Sequence, residues 1–376
     1  MNKVSIVKCP DYQEDNLKEA FKQVLKPLGG LEKFISPGQK VFLKLNLVIK
    51  KQPEAAATTH PAFVAALAEE IIRLGATPIL GDSPGGPYNK AFLKGLYQTC
   101  GISEAAKKSG AYLNYNTDTV TLPNPEGKIL KKITIIKCLQ EADVIISLPK
   151  LKTHSMTMYT GAVKNLFGAV PGMKKAEYHM AMPKTEDFAD LLLDICSFVK
   201  PKLSIMDAVT GMEGNGPTAG QPRKIGAILA SANPYALDIA ATQLVGFKPE
   251  KIVTIKAALE RNLCTVCPEI IGKDFPALSI KDFKLPSQYR KINFLENWSL
   301  PGWLSRLLIK NLTSRPVFSA RKCRKCRACI QHCPPSALTM GKDKPEIDLN
   351  LCIRCYCCQE LCRYQAVKIR SSLFGG

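Results

Sequence analysis

The chain has 376 residues, enough for two domains, and 46% of them are apolar, which excludes global disorder. Its net charge of +20 permits nucleic acid, an anionic membrane surface or an acidic protein as partner without choosing among them. No stretch approaches the ~20 apolar residues of a membrane span, and "MNKVSIVKCPDY" meets Pro10 and Asp11 too soon for a signal peptide, so a soluble cytoplasmic protein is expected.

Residues 1–285 alternate short apolar runs with helical patterns. Strands are expected at 4–7, 40–46, 77–82, 143–150, 202–209 and 225–231, and helices at 14–28, 61–74, 90–99, 186–199 and 235–245. In "PAFVAALAEEIIRLGA" the apolar residues fall at helix spacing and Gly75 stops the run. This alternation predicts an α/β domain with a mainly parallel sheet.

Polar or Gly-rich segments follow the strands: Asn46 onward, "SPGGPYN" after Asp82, the stretch from Lys150 to Lys175, and "TGMEGNGPTAGQP" from Thr210. Open α/β sheets bind ligands beyond the carboxyl ends of their strands, so these segments are expected to converge on one pocket. Lys44, Lys150, Lys152 and Lys164 would give it positive charge, and Asp82, Asp207 and Glu213 carboxylates. His154 and His179 can ligate metal or move protons. Gly85, Gly86, Gly161, Gly168, Gly211, Gly214 and Gly216 let backbone N–H groups approach an anion. A carboxylate- or phosphate-bearing ligand suits this set. No Walker pattern is present, and no G-x-G-x-x-G follows the first strand, so neither ATP nor NAD is indicated. Asp82 and Asp207 also suit caps or turns. His179 alone is more often structural, and Cys264-x2-Cys267, having no matching pair, reads as incidental.

Residues 286–320 form a linker punctuated by Pro and Gly. Trp298, Leu300, Trp303, Leu304, Leu307 and Leu308 give a short basic helix one apolar side. Packing between domains is the default reading, and a membrane-surface helix the alternative.

Residues 321–376 hold the clearest pattern. Fifteen cysteines without an export signal point to metal ligation rather than disulfides. Cys323, Cys326, Cys329 and Cys333 form a C-x2-C-x2-C-x3-C run, repeated 29 residues on as Cys352, Cys355, Cys358 and Cys362. Three thiolates at this spacing wrap one corner of a cubane, and the fourth points to the other cluster. One [4Fe-4S] cluster is therefore assigned to Cys323, Cys326, Cys329 and Cys362, and a second to Cys352, Cys355, Cys358 and Cys333. Zinc is the alternative, but zinc sites seldom use two interleaved runs. Pro334 follows the first run where Arg363 follows the second, and Cys357 is an extra thiol that reads as a bystander. From Arg306 to Arg327 there are eight Lys or Arg and no Asp or Glu. Arg324, Lys325 and Arg327 would favour the reduced, more negative cluster. The same face would dock an acidic redox partner such as a ferredoxin or flavodoxin.

The tail resembles the bacterial two-cluster ferredoxins, which implies a small α+β domain. "LKLNLV" (43–48), "GDSPGG" (81–86), "LPKLKTH" (148–154), "TGAVKNLFG" (160–168) and "MEGNGPTAG" (212–220) resemble the DUF362 family, over nearly the whole chain. More distantly, the order strand, Pro, His, Gly-bearing loop, Lys, Pro-Gly, His is similar to the nickel-pincer lactate racemases. That resemblance implies a ligand or cofactor pocket around His154 and Lys164, with Lys164 matching the lysine that anchors the pincer. "KLNLV" stands where the racemases carry an acidic motif, so racemase activity is not implied.

The expectation is an iron–sulfur protein, an oxidoreductase passing electrons between two [4Fe-4S] clusters and an anionic substrate or cofactor, in an anaerobic setting. A non-catalytic electron carrier or maturation partner, or a racemase-like isomerase with a metal cofactor, is the alternative. No helix-turn-helix, RRM or zinc-finger pattern is visible, so nucleic acid is not the expected partner.

Overall fold

Central strands of a parallel sheet are covered on both faces and read as unbroken apolar runs. Val41, Phe42 and Leu43 are of this kind, and all three are fully buried. The computed structural model describes residues 2–272, 274–287, 289 and 314–370. The proposed membrane-surface side from Trp298 to Leu308 lies outside them.

The strands are β1 (Lys3–Lys8), β2 (Lys40–Lys44), β3 (Thr77–Gly81), β4 (Tyr112–Leu113), β5 (Thr119–Pro123), β6 (Lys132–Ile136), β7 (Val144–Ser147), β8 (Lys150–His154), β9 (Met158–Thr160), β10 (Leu203–Glu213), β11 (Gln221–Ser231), β12 (Glu269–Ile271), β13 (Arg315–Phe318), β14 (Leu338–Met340), β15 (Pro345–Ile347) and β16 (Val367–Arg370). The helices are α1 (Glu14–Leu25), α2 (Pro61–Arg73), α3 (Lys90–Thr99), α4 (Ile102–Ser109), α5 (Ala162–Asn165), α6 (Lys174–Ala181), α7 (Thr185–Val199), α8 (Pro234–Leu244), α9 (Val253–Glu260), α10 (Phe275–Leu278), α11 (Ala328–Gln331) and α12 (Cys357–Glu360).

The large sheet runs β12-β1-β11-β10-β7-β2-β3-β4, with β8 beside β10 and β9 beside β8. Its pairings are mainly parallel, and β11 runs antiparallel to both β1 and β10. Apolar clusters cover its two faces: Phe42 joins α7 and α8 on one side, Val41 and Leu43 join α1 and α2 on the other.

Two departures from the expected elements shape the site. The strand expected at 143–150 ends at Ser147, and Lys150 begins β8, which turns back through β9. Pro149, which has no N–H to give a ladder, lies between the two strands. Likewise β10 continues to Glu213, through part of the segment expected as a binding loop, paired with β11 from Ser204 to Glu213.

Residues 314–370 fold as a two-fold repeat. β13 pairs with β16, and β14 with β15, while α11 and α12 are mates 29 residues apart. The same offset relates the left-handed residues Lys325, Arg327 and Ser336 to Arg354, Tyr356 and Gln365. It also relates reciprocal hydrogen bonds: Ser319 N–H donates to Ala366 O at 2.8 Å, and Asp348 N–H to Ala337 O at 2.9 Å. Among the described residues no helix is long and apolar enough to cross a membrane.

Candidate functional site

The carboxyl ends of β2 and β3, the β8–β9 hairpin, α5 and α6 close a cavity of about 110 Å³ against the C-terminal repeat. The large domain contributes Asn46, Asp82, Ser83, Lys152, His154, Lys164, Lys175 and His179 to its wall, and the repeat contributes His332, Cys357, Glu360 and Leu361.

The cations differ in how they are satisfied. Lys44 is fully buried and pairs with Asp82 at 2.6 Å. Asp82 also accepts the Leu47 N–H at 2.7 Å. A side chain at Gly168 would collide with this pair, so the glycine keeps the floor of the cavity closed. Lys152 Nζ donates to Asn46 Oδ1 and to Ala57 O, both at 2.5 Å. Burial, then the charge of Lys164, brings its pKa down to about 7. Lys175 Nζ donates to Val170 O at 2.6 Å and to Ser83 O at 2.9 Å, and burial lowers it too to about 7.

Lys164 stands apart. Among the described residues it makes no hydrogen bond or ion pair; its ammonium lies 5.5 Å from the Phe167 ring centre and 5.9 Å from that of Phe188. Burial lowers its pKa, opposed by the charge of Glu360. Its helix is held by Asp238, which accepts from Ala162 N–H at 2.6 Å and Val163 N–H at 3.0 Å.

His154 and His179 are buried, and burial favours their neutral forms. His154 Nδ1 accepts the Met156 N–H at 3.0 Å and the Thr157 N–H at 3.3 Å, so its ring proton is on Nε2, 2.9 Å from Glu360 Oε1. Burial, then Lys164, lowers its pKa to about 4. His179 stacks on Phe188 at 4.3 Å, its Nδ1 has no partner, and burial takes its pKa to about 3. Burial would raise Glu360, but His154 and then Lys164 outweigh it and hold the carboxyl near 2.

Of the residues singled out from the sequence, Asp82, Lys152, His154, Lys164 and His179 therefore meet at the cavity, with Lys44 behind Asp82. Lys150 and Asp207 lie elsewhere, paired at 2.7 Å and joined by Tyr12. Glu213 is held by the Lys284 N–H, and Gly161 is packed against Tyr159 and Asp238. Sequence reasoning missed Lys175, Ser83, His332 and Glu360 as pocket residues. Lys175 lies within the same Lys-rich stretch; Glu360 and His332 carried no separate signal, because their roles depend on how the repeat docks.

Behind that wall are two smaller hollows. Cys323, Cys326, Cys329 and Cys362 line one. Cys333, Cys352, Cys355 and Cys358 line the other, together with Cys357. Four thiolates on one zinc, each about 2.3 Å from it, would converge to within ~4 Å of one another. Among the described residues no three His, Cys, Asp or Glu side chains stand close enough to share one metal ion. Four thiols set around each hollow, with the Ala366 N–H directed at Cys362 Sγ at 3.2 Å, are a donor set of the kind a cubane takes.

An open, mainly parallel α/β sheet capped at its strand ends by a two-fold repeat of cysteine runs defines the class of protein. The chain belongs to the family described as Domain of unknown function (DUF362), whose model matches residues 41–243. It is 34% identical over 303 residues to the thylakoid-associated protein sll1697 of Synechocystis, covering 77% of this chain and 90% of that one. Among solved structures, the lactate racemase apoprotein of Thermoanaerobacterium thermosaccharolyticum matches 65% of the chain at 11% identity, with a TM-score of 0.38. The match spans 56% of the racemase, and at that score the likeness carries no argument about activity.

Proposed function

We propose that the protein is an iron–sulfur oxidoreductase that exchanges electrons with a small anionic substrate or cofactor held at Lys164. Two [4Fe-4S] clusters, held by Cys323, Cys326, Cys329 and Cys362 and by Cys333, Cys352, Cys355 and Cys358, would supply electrons singly. One observation carries the reading: α12 and the residue that follows it form a shared wall, with Cys357 on both the pocket and one thiol-lined hollow, and Leu361 on both the pocket and the other. A ligand there is separated from either hollow by a single layer of side chains.

The pocket residues have distinct parts to play. Lys164 is the cation without an oxygen partner, so an anionic group on the ligand would satisfy it. Lys152 and Lys175, with pKa values near 7, can give up a proton at neutral pH. His154 Nε2 stands 2.9 Å from Glu360 Oε1, and His154 and Lys164 together favour the carboxylate form of Glu360. On the outer side, Arg321, Lys322, Arg324, Lys325 and Arg327 are exposed around the exposed Cys326, a surface suited to an acidic carrier protein. The description of sll1697 as thylakoid-associated favours peripheral membrane contact as a further property of this chain.

The test is reoxidation. Anaerobic protein bleached by titanium citrate is mixed with small carboxylate and other oxyanion acceptors. An acceptor that restores colour in the wild type, and fails with Lys164→Met, supports the reading. If every acceptor leaves both proteins bleached while an acidic carrier protein reoxidises them, the chain is an electron carrier and not an enzyme.

A further inference from the structure

The C-terminal segment repeats itself with a 29-residue offset, and both halves of the repeat reach the pocket. His332 and Leu361 occupy the same position of the repeat, and both line the pocket. His332 directly precedes Cys333, a thiol of one hollow; Leu361 directly precedes Cys362, a thiol of the other. The loop after β3 meets both halves of the repeat. A side chain built on Gly85 would press on Leu361 at 2.9 Å, and one on Gly86 would stand 3.5 Å from His332 Nε2. Consecutive glycines thus meet the two mates of the repeat, one each. Gly86 has φ +107, a conformation that also favours glycine.

We propose, resting on the iron–sulfur reading above, that both clusters serve the same ligand, so that the pocket carries out a two-electron change with one electron from each. The other arrangement is a wire in which one hollow borders the pocket and the second lies remote from it. The shared walls contradict that arrangement, because each hollow has its own residue on the pocket surface. The balance is simple. The ligand would gain two electrons and two protons and leave as its dihydro form, with one electron supplied from the group that Cys323, Cys326, Cys329 and Cys362 would hold and one from the group that Cys333, Cys352, Cys355 and Cys358 would hold. An acidic one-electron carrier protein, docking twice, restores both, and the protons drawn from pocket ammonium groups are replaced from solvent. Nothing in this scheme releases a one-electron intermediate of the ligand.

A redox titration tests this without knowledge of the ligand. Anaerobically purified full-length protein is poised at graded potentials and both clusters are followed by EPR, their signals assigned by comparison with Cys326→Ser and Cys355→Ser. Lys164→Met removes a pocket cation and is expected to lower both midpoint potentials. Met173→Lys adds one at a half-exposed pocket position and is expected to raise both. Movement of one cluster only, or of neither, overturns the proposal and leaves the oxidoreductase reading standing. A chain that binds no iron defeats the reading beneath it.

Discussion

Asp82→Asn is the substitution whose effect the structure specifies best. Asp82 is 3% exposed and lies 2.6 Å from the ammonium of Lys44, which is 0% exposed. The carboxamide keeps an acceptor for the Leu47 N–H but leaves Lys44 as a buried charge whose remaining hydrogen bond is to Leu45 O, at 2.7 Å. Breaking a buried pair on one side costs about 3–5 kcal/mol. Lys44 has an escape. Burial already lowers its pKa, and without Asp82 it can shed its proton. The unfolded chain then holds more protons than the folded one, so the variant gains stability relative to wild type as pH rises. The double variant Lys44→Met with Asp82→Leu replaces the pair by apolar groups and should recover most of the loss. Urea unfolding followed by circular dichroism, at neutral and alkaline pH, gives all three values. A single variant within about 1 kcal/mol of wild type, with no pH dependence, would refute the argument.

Other substitutions test other parts of the account. Cys326→Ser and Cys362→Ser, although 36 residues apart, should each lower iron from about eight to about four per chain and remove the same EPR signal; loss of different signals would break the interleaved assignment. Gly168→Ala forces a methyl into the Lys44–Asp82 pair and is expected to cost about 1–3 kcal/mol in urea. Lys152 has a folded pKa of about 7 against 10.5 when free, so its contribution to stability rises with pH across that window. The stability of Lys152→Met minus that of wild type should therefore be greatest near neutrality and decline toward alkaline pH; a flat difference contradicts the assignment.

Much of the α/β domain was legible because its signals are local. The apolar run at β2 and the helical spacing at α2 each announce one element, and the cysteine repeat announces the interleaved hollows through its 29-residue offset. The pocket was legible in part. Asp82, Lys152, His154 and Lys164 follow from the rule that ligands gather at strand ends. Lys150 and Lys152 look alike in sequence and share a face by strand alternation, but the register against β10 shifts between them: Lys150 stands opposite Asp207 and bonds it and Tyr12, whereas Lys152 stands opposite Met212 and bonds Asn46 at the pocket. Cys357 read as a bystander, and its place on the pocket wall depends on how α12 faces the large domain. Glu360 likewise meets His154 across 206 residues of chain, a contact that no local pattern encodes.

The central claim is best tested by metal analysis of anaerobically purified protein from its native host, with intact-mass spectrometry of the same sample. The account predicts about eight irons and eight acid-labile sulfides per chain, with an EPR signal on reduction. Zinc in place of iron after anaerobic handling, or no metal at all, would contradict it.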